Sequence, residues 1–482
     1  MMLKKFTQRA TLLLAAWMVA TGMFATNNMP VLRVTFNGSF YSDMPYINGQ
    51  MELTDENNAV VALPAKFKTR GATAQEYLMK PSFNMKLRTA DYSAELDSAL
   101  LGMRSCSSWI LDAMAIDRIC MRNRVAFDIW NDFSRLPYDT QFDSRNGTQG
   151  RFVEVYINGT YYGIYCMSDR INRKLLDLKK VKENTDNTQT VRGVLYKSGT
   201  QDITPQNERS FSADSLACVA EWHNAWELSF PEDNAGIEAW APLLDMFDNG
   251  KTATYVKKYF YLDNMADYQL HVMALAIADN WGNKNHFFSI RDITANINDR
   301  DLVEASKRKA VMTPWDLDTS LGGAYDGSYY DGNYTDWPVT SLDNNAPYPI
   351  FPVTNDATYR ATLKRRWLEG RQYFSPDSVN AKLERYRDLF ISTGAWERMV
   401  THFDTKRYKP CYVTDLAAEI TLIEAWYAQR FQQMDDFFGV TALESVPAAA
   451  QDDALYDLLG RKVSGTPAPG FYIRGGKIVC VQ

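Results

Sequence analysis

The chain has 482 residues, of which 46% are hydrophobic and 23% are charged, and its formal net charge at pH 7 is −6. These proportions are typical of a globular protein and exclude extensive disorder and a collagen-like repeat. The negative balance argues against a nonspecific nucleic-acid binder, because the chain has no basic excess to neutralise phosphates. At about 100–200 residues per domain, this length predicts about three domains or lobes.

The N-terminus has the pattern of a secretory signal peptide. Lys4, Lys5 and Arg9 precede an apolar stretch over residues 10–23. That stretch is too short for a membrane span, and no later segment reaches about 18 continuous apolar residues. We therefore predict removal of residues 1–25, secretion to the periplasm or cell surface, and no membrane span in the mature chain. A buried N-terminal helix is the alternative.

From residue 31 to residue 198 the sequence consists mainly of short runs typical of strands. Examples are VLRVTFNG, SFNMKLR and RFVEVYINGTYYGIYCMS. The dipeptide Asn158-Gly159 favours a hairpin turn between two such runs. One helix interrupts them, since apolar residues recur with a helical period across 117–133. These patterns predict a β-rich lobe over residues 26–204.

The chain becomes mainly helical after residue 205. The segments with helical periodicity are 214–228, 235–247, 255–278, 358–374, 378–389 and 417–438. Two extended runs, HFFSIRD and KAVMTPWDLD, lie between them. A β-rich half followed by a helical half predicts an α+β fold with two lobes, 26–204 and 205–440. We expect the ligand cleft between these lobes.

The C-terminus changes character after Val446. Small and polar residues predict a linker over 441–454, and short apolar runs separated by Gly and Pro predict a small β tail over 455–482. The phrases YDLLGRKV, PGFYI and GGKIV also resemble the C-terminal sorting tails of type IX-secreted proteins. That resemblance implies secretion or surface-anchoring machinery as a partner, and a β appendage without a sorting role is the alternative.

The common signatures of P-loop, dinucleotide-binding, zinc-protease and hydrolase sites are absent from the sequence. The clearest candidate for chemistry is VMTPWDLDTSLGG, which contains Asp316 and Asp318. Two acids at this spacing on an extended run point to the same side, so both can face one cation. Mg²⁺ prefers such oxygen ligands. A turn in which the carboxylates cap backbone groups is the alternative.

A second candidate is IADNWGNKNHFFSIRD, in which Asp279 closes a helical stretch and Asn283 and Asn285 follow before a strand. Phosphoryl transfer uses an acid that orients the attacking hydroxyl and an amide oxygen that holds metal. This segment therefore predicts a catalytic loop, and an Asn-rich turn without chemistry is the alternative.

Basic residues of the β-rich half form a third set. Arg70 precedes a loop that ends at Lys80, and Lys86 lies in the strand that follows. Alternation along this strand would place Phe83 and Met85 on one face and Lys86 on the other. Lys86 would then reach a phosphate in a cleft, or else lie on a solvated strand face.

Five segments, in this order, resemble the CotH kinase family of secreted or spore-coat proteins. They are TRGATAQEYLMKPSFNMKLR, SSWILDAMAIDRICMRNRVAFDIW, VEVYINGTYYGIYCMSDRI, DNWGNKNHFF and PWDLDTSLGG. The resemblance covers roughly residues 31–440. It implies an atypical protein-kinase-like fold with a β-rich N-terminal lobe and a mainly helical C-terminal lobe. It also implies ATP and Mg²⁺, or Mn²⁺, as cofactors.

The same resemblance implies roles for individual residues. Asp316, with Asp318 beside it, would bind the metal ion, as the Asp of a kinase D-F-G does. Asn285 or Asn283 would supply a second metal ligand, and Asp279 would stand at the catalytic-loop position.

The resemblance further implies a nucleotide-binding set in the β-rich half. Lys86, or else Lys80 or Arg70, would contact the phosphates of ATP. Asp169 stands where the family carries a Glu, and its carboxylate is shorter. The family's R-G-N-S-S reads R-G-A-T-A from Arg70 onward, so an Asn and a hydroxyl are lost.

Two functions of different classes follow from these observations. The first is an exported phosphotransferase that moves the γ-phosphate of ATP to a Ser or Thr hydroxyl of a protein acceptor. The second is a catalytically inactive surface protein that acts as a binding or structural module, which the aromatic content of 13% favours. A metal-dependent phosphoester hydrolase at the same acids is a third.

Overall fold

A computed structural model describes the chain over most of its length. The described residues are 28–41, 43–71, 80–138, 144–198, 226–231, 236–280, 284–324, 350–404, 412–440, 455–456, 470–474 and 477–481. The predicted signal peptide, the predicted linker and Asn283 lie outside these ranges. The structure contains both helices and strands, so the predicted α+β class is confirmed.

Seven strands close into a barrel. They are β1 (Val31–Phe36), β2 (Ile47–Thr54), β3 (Val60–Arg70), β4 (Ser82–Leu87), β5 (Ser108–Asp112), β6 (Gly150–Ile157) and β7 (Thr160–Asp169). Their spatial order is β1-β2-β3-β4-β5-β7-β6, and parallel pairing of β1 with β6 closes the ring. In β4, Phe83, Met85 and Leu87 are buried in the barrel core. The side chains between them point outward, because a strand alternates its faces.

A second sheet of four strands lies beside the barrel. After the short hairpin of β8 (Lys182–Glu183) and β9 (Gln189–Thr190), the chain forms β10 (Val194–Ser198), β11 (Trp226–Phe230), β12 (His286–Ile290) and β13 (Ala310–Pro314). Their order is β11-β10-β12-β13, all antiparallel. Every residue of β12 and β13 is buried, which explains their continuous apolar runs in the sequence.

Helices pack around this sheet. They are α1 (Arg122–Phe133), α2 (Ile237–Asn249), α3 (Ala253–Tyr259), α4 (Leu262–Leu275), α5 (Leu302–Ser306), α6 (Ala357–Phe374), α7 (Pro376–Ser392), α8 (Ala395–Asp404) and α9 (Leu416–Phe438). One hydrophobic core joins α1, α4, α6 and α9 to β12 and β13. Helices α2, α6, α7 and α9 match the predicted segments to within three residues.

The predicted single helix over 255–278 is wrong. The chain forms α3 and α4 there, with an extended break at Phe260. Phe260 bridges to Ala310 of β13, and the Tyr261 N–H donates to the Ala310 carbonyl at 3.1 Å. A pairing with a distant strand therefore overrides the local helical period. Helix α4 ends at Leu275, because Ala276 adopts a left-handed conformation with φ of 48°.

Two other helix boundaries differ from the predictions. Most of 214–228 lies outside the described residues, and its last three residues belong to strand β11 rather than to a helix. The helix predicted over 117–133 begins only at Arg122. The Asp117 carboxylate accepts from the Met121 and Arg122 N–H groups at 2.7 and 2.8 Å and so holds the preceding turn. Helix α8 was not predicted.

The C-terminal tail forms a small antiparallel sheet of β14 (Leu455–Tyr456), β15 (Gly470–Arg474) and β16 (Lys477–Val481). Strands β15 and β16 overlap two of the apolar runs that predicted a β unit, and β14 shares Tyr456 with the third. In the part of the chain that the structure describes, no helix is both long enough and apolar enough to cross a membrane.

Replacing Gly370 of α6 with Ala is expected to lower the free energy of unfolding by about 1–2 kcal/mol. A Cβ at this position would lie 2.1 Å from a ring carbon of the buried Phe133. This overlap outweighs the gain of about 1 kcal/mol that Ala brings to a helix interior. Urea unfolding measures the change, with exposed Gln372→Ala as the control on the same helix. A Gly370→Ala protein as stable as the wild type would contradict the packing.

Acid is expected to destabilise the protein through two buried histidines. Burial lowers the pKa of His271 and His286 from 6.5 to about 4. The folded state thus favours both rings neutral. Their contribution to the free energy of unfolding is fully present above pH 6.5 and is lost as the pH falls towards 4. The loss is roughly 3 kcal/mol for each ring. Urea unfolding at several pH values, compared between wild type and His271→Gln, should show a smaller loss in the variant; equal losses would contradict the assignment.

Candidate active site

A polar cleft of about 630 Å³ lies between the barrel and the four-stranded sheet. Seven basic and five acidic side chains line it. The basic ones are Lys68, Arg70, Lys86, Arg124, Arg170, Lys197 and Lys284, and the acidic ones are Asp112, Glu227, Asp279, Asp316 and Asp318. The chain as a whole carries a net charge of −6, so this positive local balance favours an anionic ligand.

The two acids of the D-x-D sequence lie in a turn after β13 and not on the extended run from which the sequence argument placed them on one side, and both line the cleft. Asp316 adopts a left-handed conformation with φ of 57°, which is rare for residues other than glycine. A hydrogen bond from α1 holds the next residue of the turn, because the Leu317 N–H donates to the Asn123 side-chain oxygen at 3.2 Å. Such conformations persist where surrounding contacts enforce them, and they are frequent at functional sites.

The charge balance around these acids is unfavourable without a cation. Loss of hydrating water raises the pKa of Asp316, and the Asp279 and Asp112 carboxylates raise it further, while the Arg70 guanidinium lowers it. The pKa of Asp318 rises well above its usual range, first through burial and then through the negative charge of Asp316 and other neighbouring acids. A bound cation would relieve this repulsion.

Asp279 lies in the turn that follows α4, at the same cleft. Lys284 donates to its two carboxylate oxygens at 2.5 and 2.6 Å, and the Asn285 amide donates to one of them at 3.1 Å. The Asp279 N–H in turn donates to the Thr319 hydroxyl at 3.0 Å. The Asp279 turn is thereby joined to the segment that carries the D-x-D acids.

Arg70 and Lys86 bring positive charge to the barrel side of the cleft. Arg70 ends β3, and its guanidinium carbon lies 5.2 Å from the ring centre of Trp315. Trp315 is the residue before Asp316. Lys86 points out of the barrel, opposite the buried Phe83 and Met85, as the alternation predicts. Its ammonium lies 3.8 Å from a Glu95 oxygen.

Lys80 and Asp169 do not line the cleft. Lys80 is 3% exposed and lies against sulfur atoms and aromatic rings, with the Met399 sulfur at 3.5 Å and the Tyr412 ring centre at 5.0 Å. Asp169 is fully buried and accepts from the Arg104 guanidinium at 2.5 Å and the Gln149 N–H at 2.8 Å. The structure therefore places Asp169 in a buried ion pair with Arg104, outside the lining of the cleft.

Asp112 and Lys197 line the cleft but were not among the sequence candidates for the site. Asp112 ends β5 and accepts from the Asn123 amide at 2.8 Å, which ties it to α1. The ammonium of Lys197 in β10 lies 5.9 Å from the ring centre of Trp315, and burial lowers the pKa of Lys197. The only sequence signal for these residues was a charged or polar side chain at the end of an apolar run.

The donor set fits a divalent cation that is shared with a phosphate-bearing ligand. Within the described ranges, no group of three or more His, Cys, Asp or Glu side chains is arranged to hold a metal ion by itself. Mg²⁺ is usually bound by only one or two carboxylates together with substrate phosphates. Asp316 and Asp318 meet that requirement, and burial together with neighbouring carboxylates raises the pKa of both.

Comparison with known proteins agrees with the resemblance of the five segments. A family model described as CotH kinase protein matches residues 67–434. A search of curated proteins found no match to the chain. The family match includes β4, β5, the Asp279 turn and the D-x-D turn, and it covers most of the 482 residues. The chain therefore belongs to the CotH kinase family.

Proposed function

We propose that this protein is an exported, Mg²⁺-dependent phosphotransferase that moves the γ-phosphate of ATP to a Ser or Thr hydroxyl of a protein acceptor. The observation that carries the proposal is the meeting of Asp279, Asn285, Asp316 and Asp318 in one basic cleft. Phosphoryl transfer depends mainly on positioning and charge stabilisation, and this set of side chains supplies both. Membership of the CotH kinase family supports the same chemistry.

We assign the two lobes of a kinase-like fold to the two sides of the cleft. The barrel would be the β-rich N-terminal lobe, and the four-stranded sheet with its helices would be the C-terminal lobe. Arg70 and Lys86 lie on the barrel side, whereas Asp279 and Asp316 lie on the other side. A nucleotide in the cleft would then have its phosphates between basic side chains and metal-binding acids.

Each cleft residue has a distinct part in this proposal. Asp316 and Asp318 would hold the metal ion with the oxygen of Asn285, and Lys86 and Arg70 would bind phosphate oxygens. A bound Mg²⁺ neutralises phosphate charge that develops during transfer. The predicted second ligand Asn283 lies outside the described residues and remains the alternative to Asn285.

Asp279 would orient the acceptor hydroxyl and take up its proton. Its carboxylate already accepts from Lys284 and Asn285. A carboxylate has about four lone-pair positions, so these donors leave room for a hydroxyl. Lys284 would hold the carboxylate in place and add positive charge near the transferred phosphoryl group.

The test is transfer of label from γ-labelled ATP to casein by the purified protein, with Mg²⁺ or Mn²⁺. We expect transfer by the wild type and loss of transfer in Asp279→Asn, which keeps the shape of the side chain. Asp377→Asn is the matched control, because Asp377 is exposed in the first turn of α7, outside the cleft. Free phosphate without labelled protein would indicate a phosphoester or ATP hydrolase instead.

One observation favours the second candidate, a noncatalytic surface module. By the resemblance, Asp169 would stand at the position of the family's Glu, yet it pairs with Arg104 and does not line the cleft. If the wild type binds ATP without transferring phosphate, and Asp279→Asn binds it equally well, the binding module replaces the phosphotransferase. Its partners would then be the surface-anchoring machinery that the tail resemblance implies.

A further inference from the structure

Two turns of the cleft are joined by a buried asparagine that no comparison assigns to the site. Asn280 follows Asp279 and is fully buried. Its side-chain NH₂ group donates to the carbonyl of Asn285 and to the carbonyl of Trp315, both at 2.9 Å. The two hydrogens of this one amide therefore hold Asn285 and Trp315, and Trp315 is the residue before Asp316.

Two residues next to these hydrogen bonds have left-handed backbone conformations. Asn285 has φ of 59° and Asp316 has φ of 57°. Such conformations cost roughly 1–3 kcal/mol for residues other than glycine and need surrounding contacts to persist. Asn280 binds the carbonyl of Asn285 itself and the carbonyl immediately before Asp316, so its bonds act on both unfavourable conformations.

The orientation of the Asn280 amide is fixed by what surrounds it. The Tyr268 hydroxyl lies against this amide, and a reversed amide would face the two carbonyl oxygens with a third oxygen. The Asn285 carbonyl also accepts from the Trp315 N–H at 2.9 Å, so both of its lone pairs are used. Leaving a buried acceptor without its donor costs about 1–3 kcal/mol, so reversal of the amide would be unfavourable.

We infer that Asn280 is a positioning residue that sets the distance from Asp279 and Asn285 to the Asp316 turn. This inference rests on the proposed function, since it is through these turns that Asn280 acts on metal and nucleotide. Asn280 does not line the cleft and touches no reacting group. Loss of its amide leaves every proposed ligand in the chain and leaves the Trp315–Asn285 and Asp279–Thr319 hydrogen bonds in place. It removes the two side-chain bonds that hold the carbonyls beside the left-handed residues, so the spacing of the turns is less strictly fixed.

The test compares Asn280→Ala with Asn264→Ala in the full chain. Asn264 is a matched control, because it is equally buried and its side chain bonds both the carbonyl and the N–H of Met312 in β13, away from the cleft. Calorimetric binding of ATP at increasing Mg²⁺ gives the half-saturating metal concentration. We expect it to rise about 10-fold to 100-fold in Asn280→Ala and to stay unchanged in Asn264→Ala.

Hydrogen exchange supplies a readout that does not depend on activity. Peptides that contain the Asp279 and Trp315 amides should exchange faster in Asn280→Ala, whereas Asn264→Ala should affect the Met312 region. Asn280→Ser, which retains one donor, replaces Asn280→Ala if that variant does not fold, and a smaller shift is expected. Unchanged metal dependence in a folded Asn280 variant, or equal shifts in the two asparagine variants, would overturn the inference.

The same experiment separates this inference from the proposed function. If the wild type shows no Mg²⁺-dependent ATP binding, the proposed function fails, and hydrogen exchange alone decides the role of Asn280. Faster exchange at both turns in Asn280→Ala only would still support the link between them. Unaltered exchange at Asp279 and Trp315 would overturn it.

Discussion

An Asp316→Asn variant is expected to lose metal-dependent ATP binding by at least about 100-fold, and phosphate transfer with it. Outer residues of metal sites already cost about 10-fold to 100-fold in affinity when they are replaced, so loss of a direct ligand should cost no less. The amide keeps the size of the carboxylate but removes its negative charge. Isothermal titration with ATP and Mg²⁺ measures binding, and labelled ATP with casein measures transfer.

Stability separates this effect from simple unfolding. Burial and the neighbouring acids raise the pKa of Asp316, so its charged form is disfavoured in the folded protein without metal. The contribution of Asp316 to the free energy of unfolding is therefore fully present below about pH 3.8. It is lost as the pH rises from there through the raised pKa of the folded state. Asp316→Asn should melt no lower than the wild type at pH 7 without metal. A variant that binds ATP and Mg²⁺ normally would exclude Asp316 as a ligand.

An Asp169→Asn variant is expected to be less stable by about 3–5 kcal/mol, with little change in the affinity for ATP in the molecules that remain folded. The change breaks the buried ion pair between Arg104 and Asp169, whose side chains are 4% and 0% exposed. The Arg104 charge would stay buried beside neutral acceptors, among them the Arg170 carbonyl at 3.0 Å, without the carboxylate that now pairs with it. Urea unfolding measures stability, and ATP titration measures binding.

A second replacement tests the cause of that loss. Adding Arg104→Met to Asp169→Asn removes the unpaired charge and should recover part of the lost stability. If Asp169 instead pairs with a nucleotide-binding lysine, Asp169→Asn should weaken ATP binding by at least tenfold while stability changes little. That result would restore the role implied by the family's Glu.

Local patterns in the sequence were sufficient for most of the elements. Alternation in SFNMKLR placed Phe83, Met85 and Leu87 inside and Lys86 outside, as the structure has them. Helical periodicity identified α2, α6, α7 and α9, because each buries one face against a single core. The order of five segments identified the family, which the family model confirms.

Long-range pairing decided what local patterns did not show. The period across 255–278 continues through Phe260, yet the chain is extended there because it bridges to Ala310 of β13. Helix propensity is a weak preference that such tertiary contacts override. Strand β11 was missed for the same reason, since Trp226 and its neighbours are defined by pairing with β10.

The candidate site shows the same division. The sequence by itself determined which residues carry suitable chemistry, because acids, amides and lysines at the ends of apolar runs are visible without a fold. Only the tertiary structure decided that Asp279, Asn285, Asp316 and Asp318 share a cleft with Arg70 and Lys86, and that Lys80 and Asp169 lie outside it. Burial and distance depend on how the barrel packs against the second sheet, and side chains far apart in the chain acquire their charged neighbours only through that packing.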